Sequence, residues 1–342
     1  MPKPDTGATP VTGAATDPLL DEKISRTRSG LLAWFAANRR DLPWRHTRDP
    51  YRILVSEVML QQTQVDRVVS YYDRFLERFP TVEGLAVAPT ADVIQAWAGL
   101  GYNRRAVNLQ RTAQAVINDH GGRFPRDVVA LRDLPGIGAY TAGAVACFAF
   151  EQDVGFIDTN MRRVIHRLFA GVDVPVLRIS EREIVALAAR LVPPGRGWEW
   201  NQGLIEFGAL QCTARRPACV VCPLQADCLA YPAIQSAIAD LPKGASAAKK
   251  REAPFAGSNR YYRGRVLAHL RDAREATDNA GIPLRALGPL VRDGFSDADV
   301  PWLYGVVQGL AKDGLAKVAE ETPAYDTGDS SQPTAEFRVT LP

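Results

Sequence analysis

The sequence predicts an all-α body followed by a small α+β unit at the carboxyl end. Apolar residues recur at helical spacing through most of the chain, and almost no segment before residue 310 alternates polar and apolar side chains as a strand would. Residues 257–342 contain three helical patterns and then two alternating segments, which is the order of a winged-helix-like unit. Four cysteines within residues 212–228 predict a metal-binding loop between the two parts.

The bulk composition places the chain among ordinary globular proteins. Its 342 residues are enough for two or three domains, with 46% hydrophobic and 23% charged residues. No apolar run reaches the roughly 18–20 residues of a membrane helix, and the amino terminus lacks the apolar region of a secretory signal. We therefore expect a cytoplasmic protein that has no contact with a membrane. The net charge of +3 does not by itself indicate a nucleic-acid ligand, and each local cluster of basic residues, taken individually, fits a solvated face. These clusters are Arg104-Arg105, Arg162-Arg163 with Arg167, Arg215-Arg216 and Lys249-Lys250-Arg251.

Changes in composition divide the chain into four parts. Residues 1–18 are rich in Pro, Gly, Thr and Ala and predict a disordered tail, whereas residues 19–232 carry the helical patterns. Residues 233–256 combine Ala, Ser, Lys, Gly and Pro with little periodicity, which predicts a linker. The terminal unit then occupies residues 257–342.

Proline and glycine set the order of the helices. Pro43 breaks the first helix, Asp49-Pro50 starts the second, and Gly121-Gly122 closes the longest. The predicted helices of the body are residues 19–40, 51–62, 65–79, 81–88, 90–98 with Thr90 as N-cap, 104–120, 126–131, 141–150, 180–191 and 198–211. The terminal unit is predicted to contain helices 262–274, 284–293 and 298–314 and a hairpin of residues 315–320 and 336–341.

The cysteines carry the most specific spacing in the chain. Cys212, Cys219, Cys222 and Cys228 follow the pattern C-x6-C-x2-C-x5-C, with no histidine nearby. Four thiolates at this compact spacing suit a 4Fe–4S cluster. A zinc site with four thiolate ligands is the alternative. Cys147 lies in an apolar helix and is expected to be a buried small side chain.

The segment Leu134-Pro135-Gly136-Ile137-Gly138 predicts the hairpin of a helix-hairpin-helix motif. Its glycines permit positive φ and leave backbone N–H groups pointing outward at a helix N-terminus. Such groups bind phosphate without reading base sequence. The alternative is an ordinary turn between two helices.

Two acids stand out from their surroundings. Glu57 is flanked on both sides by apolar or neutral residues, and Asp158 lies between Ile157 and Thr159. Taken alone, Glu57 fits a solvated helix face and Asp158 fits the N-cap of the next helix. Together with a phosphate-binding hairpin, they indicate glycosidic-bond chemistry, in which one carboxyl group donates a proton and the other stabilises a cationic sugar.

Several motifs match one known family. They are residues 42–45 (LPWR), 56–65 (SEVMLQQTQV), 99–102 (GLGY), 134–143, Asp158 with Asn160, Asn201-Gln202, and the four cysteines. Over about residues 31–232 the chain resembles the adenine DNA glycosylases of the MutY type, within the helix-hairpin-helix glycosylase superfamily. The motif around Glu57 is the most telling, since the sister endonuclease III type lacks a glutamate there.

The resemblance implies a fold, a reaction and a set of roles. The fold is an all-α helix-hairpin-helix glycosylase core of two helical subdomains with a cleft between them, and the cofactor is a 4Fe–4S cluster. A monomer would bind double-stranded DNA containing A:8-oxoG or A:G mismatches and flip the adenine into a pocket. The implied catalytic residues are Glu57 as acid and Asp158 as stabiliser of the oxocarbenium ion, supported by Tyr140 and Asn160. The implied contacts to DNA are Arg45 and Gln202 with the adenine, Gln62 and Tyr102 beside the widowed guanine with Leu60 and Thr63 adjacent, and Gly136 and Gly138 with phosphate.

The chain departs from its relatives at two places. Bifunctional lyases carry a lysine where this chain has Tyr140, so no Schiff base can form there and we predict a monofunctional hydrolase. Family members usually carry a large Nudix-like terminal domain, and residues 257–342 are too short for it.

Arg215 and Arg216, between two of the cysteines, are predicted to touch phosphate. The alternatives are a thymine or uracil mismatch glycosylase and a non-catalytic iron–sulfur DNA-binding sensor.

Overall fold

A computed structural model describes residues 17–241, 254–277, 280–321 and 336–342. The chain forms two compact units, each built from two separate segments. The first unit comprises Met1–Arg40 and Asp153–Ala247, and the second comprises Asp41–Gln152 and Ala248–Pro342. Residues 1–16 of the predicted tail and residues 242–253 of the predicted linker lie outside the described residues.

The described elements are helices with one small sheet. In chain order they are α1 Pro18–Asn38, α2 Pro50–Leu60, α3 Val65–Arg78, α4 Val82–Val87, α5 Thr90–Ala96, α6 Arg104–His120, α7 Val128–Asp133, α8 Ala139–Phe150, α9 Thr159–Phe169, α10 Glu181–Leu191, α11 Gly197–Leu210, α12 Ala233–Ala239, α13 Asn259–Thr277, β1 Ile282–Pro283, α14 Leu284–Val291, α15 Val300–Lys312, β2 Lys317–Glu321 and β3 Glu336–Thr340. The all-α body with a small terminal sheet confirms the predicted fold class. None of the described helices is long and apolar enough to cross a membrane.

The second unit is organised around two apolar helices. Asp49 caps α2 by accepting a hydrogen bond from the Tyr51 N–H at 2.8 Å, and Pro50 occupies the first helical position. Helix α2 packs against α8, which is buried over its whole middle because the sequence there is apolar or small. Helices α4 and α5 pack against α6, whose long run ends at Gly121 with a φ of 59°. These contacts place the loop after α2, the start of α6 and the start of α8 on one rigid frame.

The first unit packs α1 and α9 against α11. Small residues of α11 allow the close approach: a Cβ added to Gly208 would lie 2.8 Å from the Cβ of Asn160. Trp34 and Phe207 meet edge to face with ring centroids 4.9 Å apart. Helix α11 therefore presses against the turn that begins α9, which carries the predicted site residues Asp158 and Asn160.

The terminal part of the chain has the order expected for a winged-helix-like unit. Helices α13, α14 and α15 precede the antiparallel pair β2–β3, in which Val318 lies opposite Val339. The sequence did not predict β1, a two-residue strand that pairs with β3 and gives the sheet order β1-β3-β2. Its single pair of residues, one of them proline, offers no alternation to detect.

The terminal unit shares a hydrophobic core with the helical body. Ala91 and Ile94 of α5 and Val107 of α6 lie in the same buried cluster as Leu267 and Leu310. This packing explains why the terminal segment belongs to the second unit rather than forming a unit of its own.

Three details of the predicted organisation were wrong. Residues 233–239, assigned to the linker, form α12, whose Ile234 is 1% exposed. Pro18, assigned to the tail, starts α1 after the N-cap Asp17. Pro89 rather than Thr90 is the N-cap of α5. In each case packing or capping extended a helix into a segment whose composition favoured a loop.

Candidate active site

Glu57 lies in the buried middle of α2. Its exposed fraction is 4%, and its neighbours Ser56 and Val58 are exposed by only 1% and 5%. In this helix buried residues run continuously from Ile53 to Met59. The interpretation of Glu57 as part of a solvated face was therefore wrong, because α2 has no solvated face at that position.

The predicted hairpin has the conformation that phosphate binding needs. Gly136 has a φ of 79°, and a Cβ added there would lie 2.8 Å from the Cβ of Asn108. The hairpin is fastened to α6 by the Thr112 hydroxyl, which donates to the Pro135 carbonyl at 2.6 Å. Gly136 and Gly138 are exposed, and Gly138 is the N-cap of α8. The first N–H groups of α8 are thus available to an anion.

Tyr140 and the loop after α2 meet at the start of α8. Tyr140 is half-buried in the first turn of this helix. The side-chain amide of Gln61 lies 3.5 Å from the hydroxyl of Thr141, the residue that follows Tyr140. Gln61 precedes Gln62, so this contact holds the exposed Gln62 close to the hairpin helix.

Two exposed residues adopt left-handed backbone conformations. Gln62 has a φ of 57° and Tyr102 a φ of 46°, values that are uncommon outside glycine. The Tyr102 side chain is 47% exposed. Residues held in such conformations need support from their surroundings.

Arg105 supplies that support, and sequence reasoning missed it. Its guanidinium donates from Nη1 to the carbonyls of Val58 at 2.8 Å, Met59 at 3.0 Å and Gln61 at 2.6 Å. From Nη2 it reaches the Thr63 hydroxyl and the Gly101 carbonyl, both at 3.2 Å. It therefore joins the loop after α2 to the turn before α6.

The Arg104-Arg105 pair was expected to be a solvated face, which holds for Arg104 only. Burial lowers the pKa of Arg105 to about 10. Nothing in the sequence separates the two arginines, since both begin the same helix. The one available signal was the position of Arg105 a few residues after a glycine turn, whose carbonyls need hydrogen-bond donors.

Asp158 is the N-cap of α9, as one reading of the sequence predicted. One carboxylate oxygen accepts from the Met161 N–H at 2.7 Å, and the other accepts from the Asn160 amide at 3.2 Å. Burial raises the pKa of Asp158, although these hydrogen bonds and the charge of Arg163 act against the rise. Capping and a chemical role are compatible, because the cap fixes the carboxylate in place.

A chain of hydrogen bonds links this carboxylate to the cysteine loop. Arg163 donates from Nη2 to the Asn160 side-chain oxygen at 2.9 Å and to the Gly208 carbonyl at 2.6 Å. Its Nε donates to the Cys212 carbonyl at 2.8 Å. Arg163, expected on a solvated face, is instead half-buried and connects the turn that carries Asp158 to the loop that begins at Cys212.

The four cysteines line one cavity of the first unit. Its apolar lining includes Val164, Leu168, Phe207 and Ile234. Arg167, whose side chain is 2% exposed, donates to the Thr213 carbonyl at 2.8 Å and pairs with Asp173 at 2.7 Å. Hydrogen bonds from the Arg167 side chain to loop carbonyls thereby tie the loop to α9, and the ion pair with Asp173 holds the guanidinium in place.

The remaining predicted residues divide by exposure. Arg45 is 9% exposed in a short 3₁₀ turn, and Gln202 is 6% exposed in α11. Arg215 and Arg216 are exposed in the cysteine loop. The second unit carries Arg45, Glu57, Leu60, Gln62, Thr63, Tyr102, Gly136, Gly138 and Tyr140, whereas the first unit carries Asp158, Asn160, Gln202, Arg215, Arg216 and the four cysteines.

Comparison with known proteins decides the family. An adenine DNA glycosylase from Mycolicibacterium smegmatis is 41% identical over 277 residues, which cover 78% of this chain and 90% of that protein. The chain belongs to the adenine DNA glycosylase family. Residues 55–191 match the HhH-GPD superfamily of base excision DNA repair proteins, and residues 212–228 match the iron–sulfur binding domain of endonuclease III.

Two further similarities show how far the family likeness extends. The mouse adenine DNA glycosylase is 43% identical over 222 residues, covering 62% of this chain, but the chain spans only 43% of that protein's length. The structure of a thermostable thymine-DNA glycosylase superposes with a TM-score of 0.58 at 37% identity, covering 64% of this chain and 98% of that one. The helical core is thus shared between proteins named as adenine glycosylases and a protein named as a thymine glycosylase.

The cofactor of this adenine DNA glycosylase family member is a 4Fe–4S cluster, and the residues present fit it. The four thiols line a common apolar cavity, within the segment that matches the iron–sulfur binding domain. Four cysteine thiolates are the usual ligands of a 4Fe–4S cluster. Burial raises the pKa of Cys222 to about 11, so this thiol loses its proton on binding iron.

Proposed function

We propose that this protein removes adenine mispaired with 8-oxoguanine or guanine from double-stranded DNA, by hydrolysis of the N-glycosidic bond. The observation that carries the proposal is Glu57, a carboxyl group 4% exposed in the middle of α2. Burial of a carboxyl group costs stability unless it is hydrogen-bonded or paired, so an acid in the middle of an apolar helix is a candidate for a chemical role. Excision of adenine supplies one, because the purine leaves readily only after its ring is protonated.

The two acids have different roles in the proposed reaction. Glu57 delivers its proton to N7 of the flipped adenine, and the glycosidic bond then breaks to leave an oxocarbenium ion. Asp158 provides the negative charge that stabilises this cation, and its two oxygens are already oriented by Met161 and Asn160. Glu57, now a carboxylate, accepts a proton from the water that attacks the sugar. Tyr140 and Asn160 hold the acids in position.

The enzyme is proposed to be monofunctional, and the scarcity of lysine supports this. Lys23 is the one lysine in residues 19–232 of the sequence. Its ammonium group donates to the Leu168 carbonyl at 2.7 Å, in the first unit. A lyase step through a Schiff base requires a free amine at the sugar. Tyr140 and Arg162 cannot supply it, and Arg162 pairs with Glu181.

The proposed DNA contacts follow the two units. On the second unit the exposed Gly136 and Gly138 would bind phosphate, and Gln62 and Tyr102 would enter the space beside the base opposite adenine, with Leu60 and Thr63 adjacent. Arg45 and, from the first unit, Gln202 would contact the adenine itself. Arg215 and Arg216 would contact phosphate. We propose that a monomer acts in this way at the bacterial nucleoid, in the cytoplasm.

The second candidate is removal of mispaired thymine or uracil. It is favoured by the likeness to the thermostable thymine-DNA glycosylase, which extends over 98% of that chain. Glu57 argues against it, because a pyrimidine offers no N7 to protonate.

Single-turnover cleavage separates the candidates. Duplexes carrying A:8-oxoG, A:G, T:G and U:G are incubated with excess holoenzyme, and each sample is divided for analysis with alkali and without it. We expect loss of adenine alone, with strand breaks only after alkali. Excision of T or U without A would overturn the main proposal, and strand scission before alkali would overturn monofunctionality.

Replacement of Glu57 tests the assigned acid. We expect Glu57→Gln to reduce the excision rate by at least about 100-fold, the scale of general acid catalysis. The matched control is Glu77→Gln, at an exposed position of α3, which should retain the wild-type rate. An active Glu57→Gln enzyme with an intact fold would remove the role.

A further inference from the structure

A groove of about 930 Å³ lies on the second unit, beside the turns that carry Gln62 and Tyr102. One wall is formed by these turns and the start of α6, including Arg104 and Asn108. The opposite wall is formed by the terminal unit, through Phe255 and Arg260. The groove is therefore built jointly by the body and by the terminal segment, whose role the family assignment leaves open.

Arginine side chains and aromatic rings alternate along this groove. The Arg260 guanidinium lies 5.1 Å from the centroid of the Phe255 ring, and its Nη1 lies 3.5 Å from the Tyr102 hydroxyl. The rings of Phe255 and Tyr102 are 55% and 47% exposed. Arg104 adds a side chain that is 64% exposed. Interleaved cations and exposed rings are the combination that binds phosphates and stacks bases.

The carboxylate of Asp313, which lies near the groove, is already paired with arginine side chains. Asp313 pairs with Arg263 and lies 3.5 Å from Arg104. Among the described residues that line the groove there is no Asp or Glu. The surface is therefore positive overall, as an interface with a polyanion requires.

The groove continues to the hairpin of the second unit. Asn108, in its wall, is the residue against which Gly136 packs most closely. An anion bound at the exposed N–H groups of the hairpin would thus lie next to this groove.

The terminal unit offers its first helix to the groove, which differs from the usual helix-turn-helix arrangement. Such motifs place the second helix of the pair in the major groove, and α15 would be that helix here. Within Val300–Lys312 the one basic residue is Lys312, whereas Asn259–Thr277 contains five arginines. Arg260 and Arg263 of α13 line the groove, whereas α15 contributes the apolar Leu310 to it.

We propose that this groove binds the DNA strand carrying the base opposite the target adenine, with Arg260 on its phosphates and Phe255 against its bases. The assignment to that strand rests on the proposed function, in which Gln62 and Tyr102 occupy the space beside the opposite base. The terminal unit then takes part in recognising the mispair through α13 and Phe255.

Binding without turnover tests the proposal. The full-length holoenzyme is titrated with duplexes in which a tetrahydrofuran abasic site, which cannot be cleaved, lies opposite 8-oxoguanine or guanine. We expect Arg260→Ala to weaken binding about fivefold and to reduce the slope of log affinity against log salt by about 1, the contribution of one phosphate contact. Phe255→Ala should weaken binding with no change in that slope. The control is Arg285→Ala, an exposed arginine of α14 paired with Asp297 outside the groove, which should bind as wild type.

Neutral phosphate substitutions identify the strand. Single methylphosphonates are placed in turn along each strand, and affinity is measured for wild type and for Arg260→Ala. We expect the effect of Arg260→Ala to disappear at one or two positions of the strand opposite the abasic site. Disappearance only on the abasic strand, or persistence at every position of both strands, would overturn the proposal. Should the wild-type protein fail to excise adenine while this coupling is observed, the groove would stand and the proposed function would fall.

Discussion

Two buried arginines, Arg105 and Arg167, hold the functional loops of the two units in different ways. Arg167 pairs with Asp173, and although burial lowers the pKa of its guanidinium, that acid and Cys212 together raise it above the ordinary value. Arg105 donates to carbonyls and one hydroxyl, and burial lowers its pKa to about 10. A charged partner compensates the buried charge of Arg167, whereas neutral carbonyls and one hydroxyl do so for Arg105.

The difference has consequences for how each loop tolerates change. Removing Arg167 leaves Asp173 buried without its cation, and an unpaired buried charge is costly. Removing Arg105 leaves neutral carbonyls short of a donor, and water can replace part of what is lost. The cysteine loop should therefore need Arg167 in order to fold. The turns around Gln62 and Tyr102 should need Arg105 mainly to keep their backbone conformation.

The largest expected effect on stability comes from Arg167→Ala. We expect a loss of about 3–5 kcal/mol in the free energy of unfolding, as for other broken buried ion pairs. Chemical denaturation of the holoprotein measures it, and visible absorbance reports whether the cluster is retained. The control is Arg182→Ala, an exposed position of α10, with an expected change near zero. A variant as stable as the control would remove the distinction between the two arginines.

A smaller loss is expected for Arg105→Ala, about 1–3 kcal/mol for carbonyls left without a partner. The excision rate should fall by more than this loss implies, because Gln62 and Tyr102 are released from strained conformations. Denaturation and single-turnover kinetics at a temperature where the variant stays folded separate the two effects. Arg104→Ala serves as the stability control on the same helix. Normal excision by a destabilised Arg105→Ala would show that the turns need no clamp.

Asp158→Asn is expected to change stability in the opposite direction. Because burial raises the pKa of Asp158 above 3.8, the folded state binds this proton more tightly than the unfolded chain does. Ionisation therefore destabilises the folded state at neutral pH, and this cost vanishes as the pH falls below the unfolded value. Asparagine keeps the N-cap. We expect an inactive variant that melts slightly higher than wild type at pH 7, with the difference shrinking toward pH 4. A lower melting temperature at pH 7 would contradict the pKa shift.

The smallest effect on stability is expected for the double variant Arg215→Ala and Arg216→Ala. Both side chains are exposed, so the free energy of unfolding should not change measurably. Binding to the abasic-site duplex should weaken, and the salt slope should fall by about 2 if each arginine contacts one phosphate. An unchanged slope would remove both from the DNA interface. This pair contrasts with Arg105 and Arg167, which stabilise the fold from buried positions.

The sequence predicted the elements and the chemistry-bearing residues better than their surroundings. The helix 104–120, the hairpin glycines and the four cysteines depend on local signals, such as glycine at positive φ or fixed cysteine spacing, which the chain displays directly. The roles of Arg105 and Arg163 depend on carbonyls that are distant in sequence. Gln61, for example, lies 44 positions before Arg105. Arginines that look solvated in a helix pattern cannot be told from buried ones until the packing is known. The catalytic and DNA-binding assignments themselves stay predictions.

The core that the terminal unit shares with α5 and α6 limits how this protein could evolve. A domain joined only through a linker can be exchanged by recombination, because neither partner loses packing. Here an exchange would strip cover from Ala91, Ile94 and Val107 and leave an apolar surface on the body. A new terminal module would have to arrive with matching side chains, so this architecture is expected to pass between lineages as one inherited piece rather than in parts.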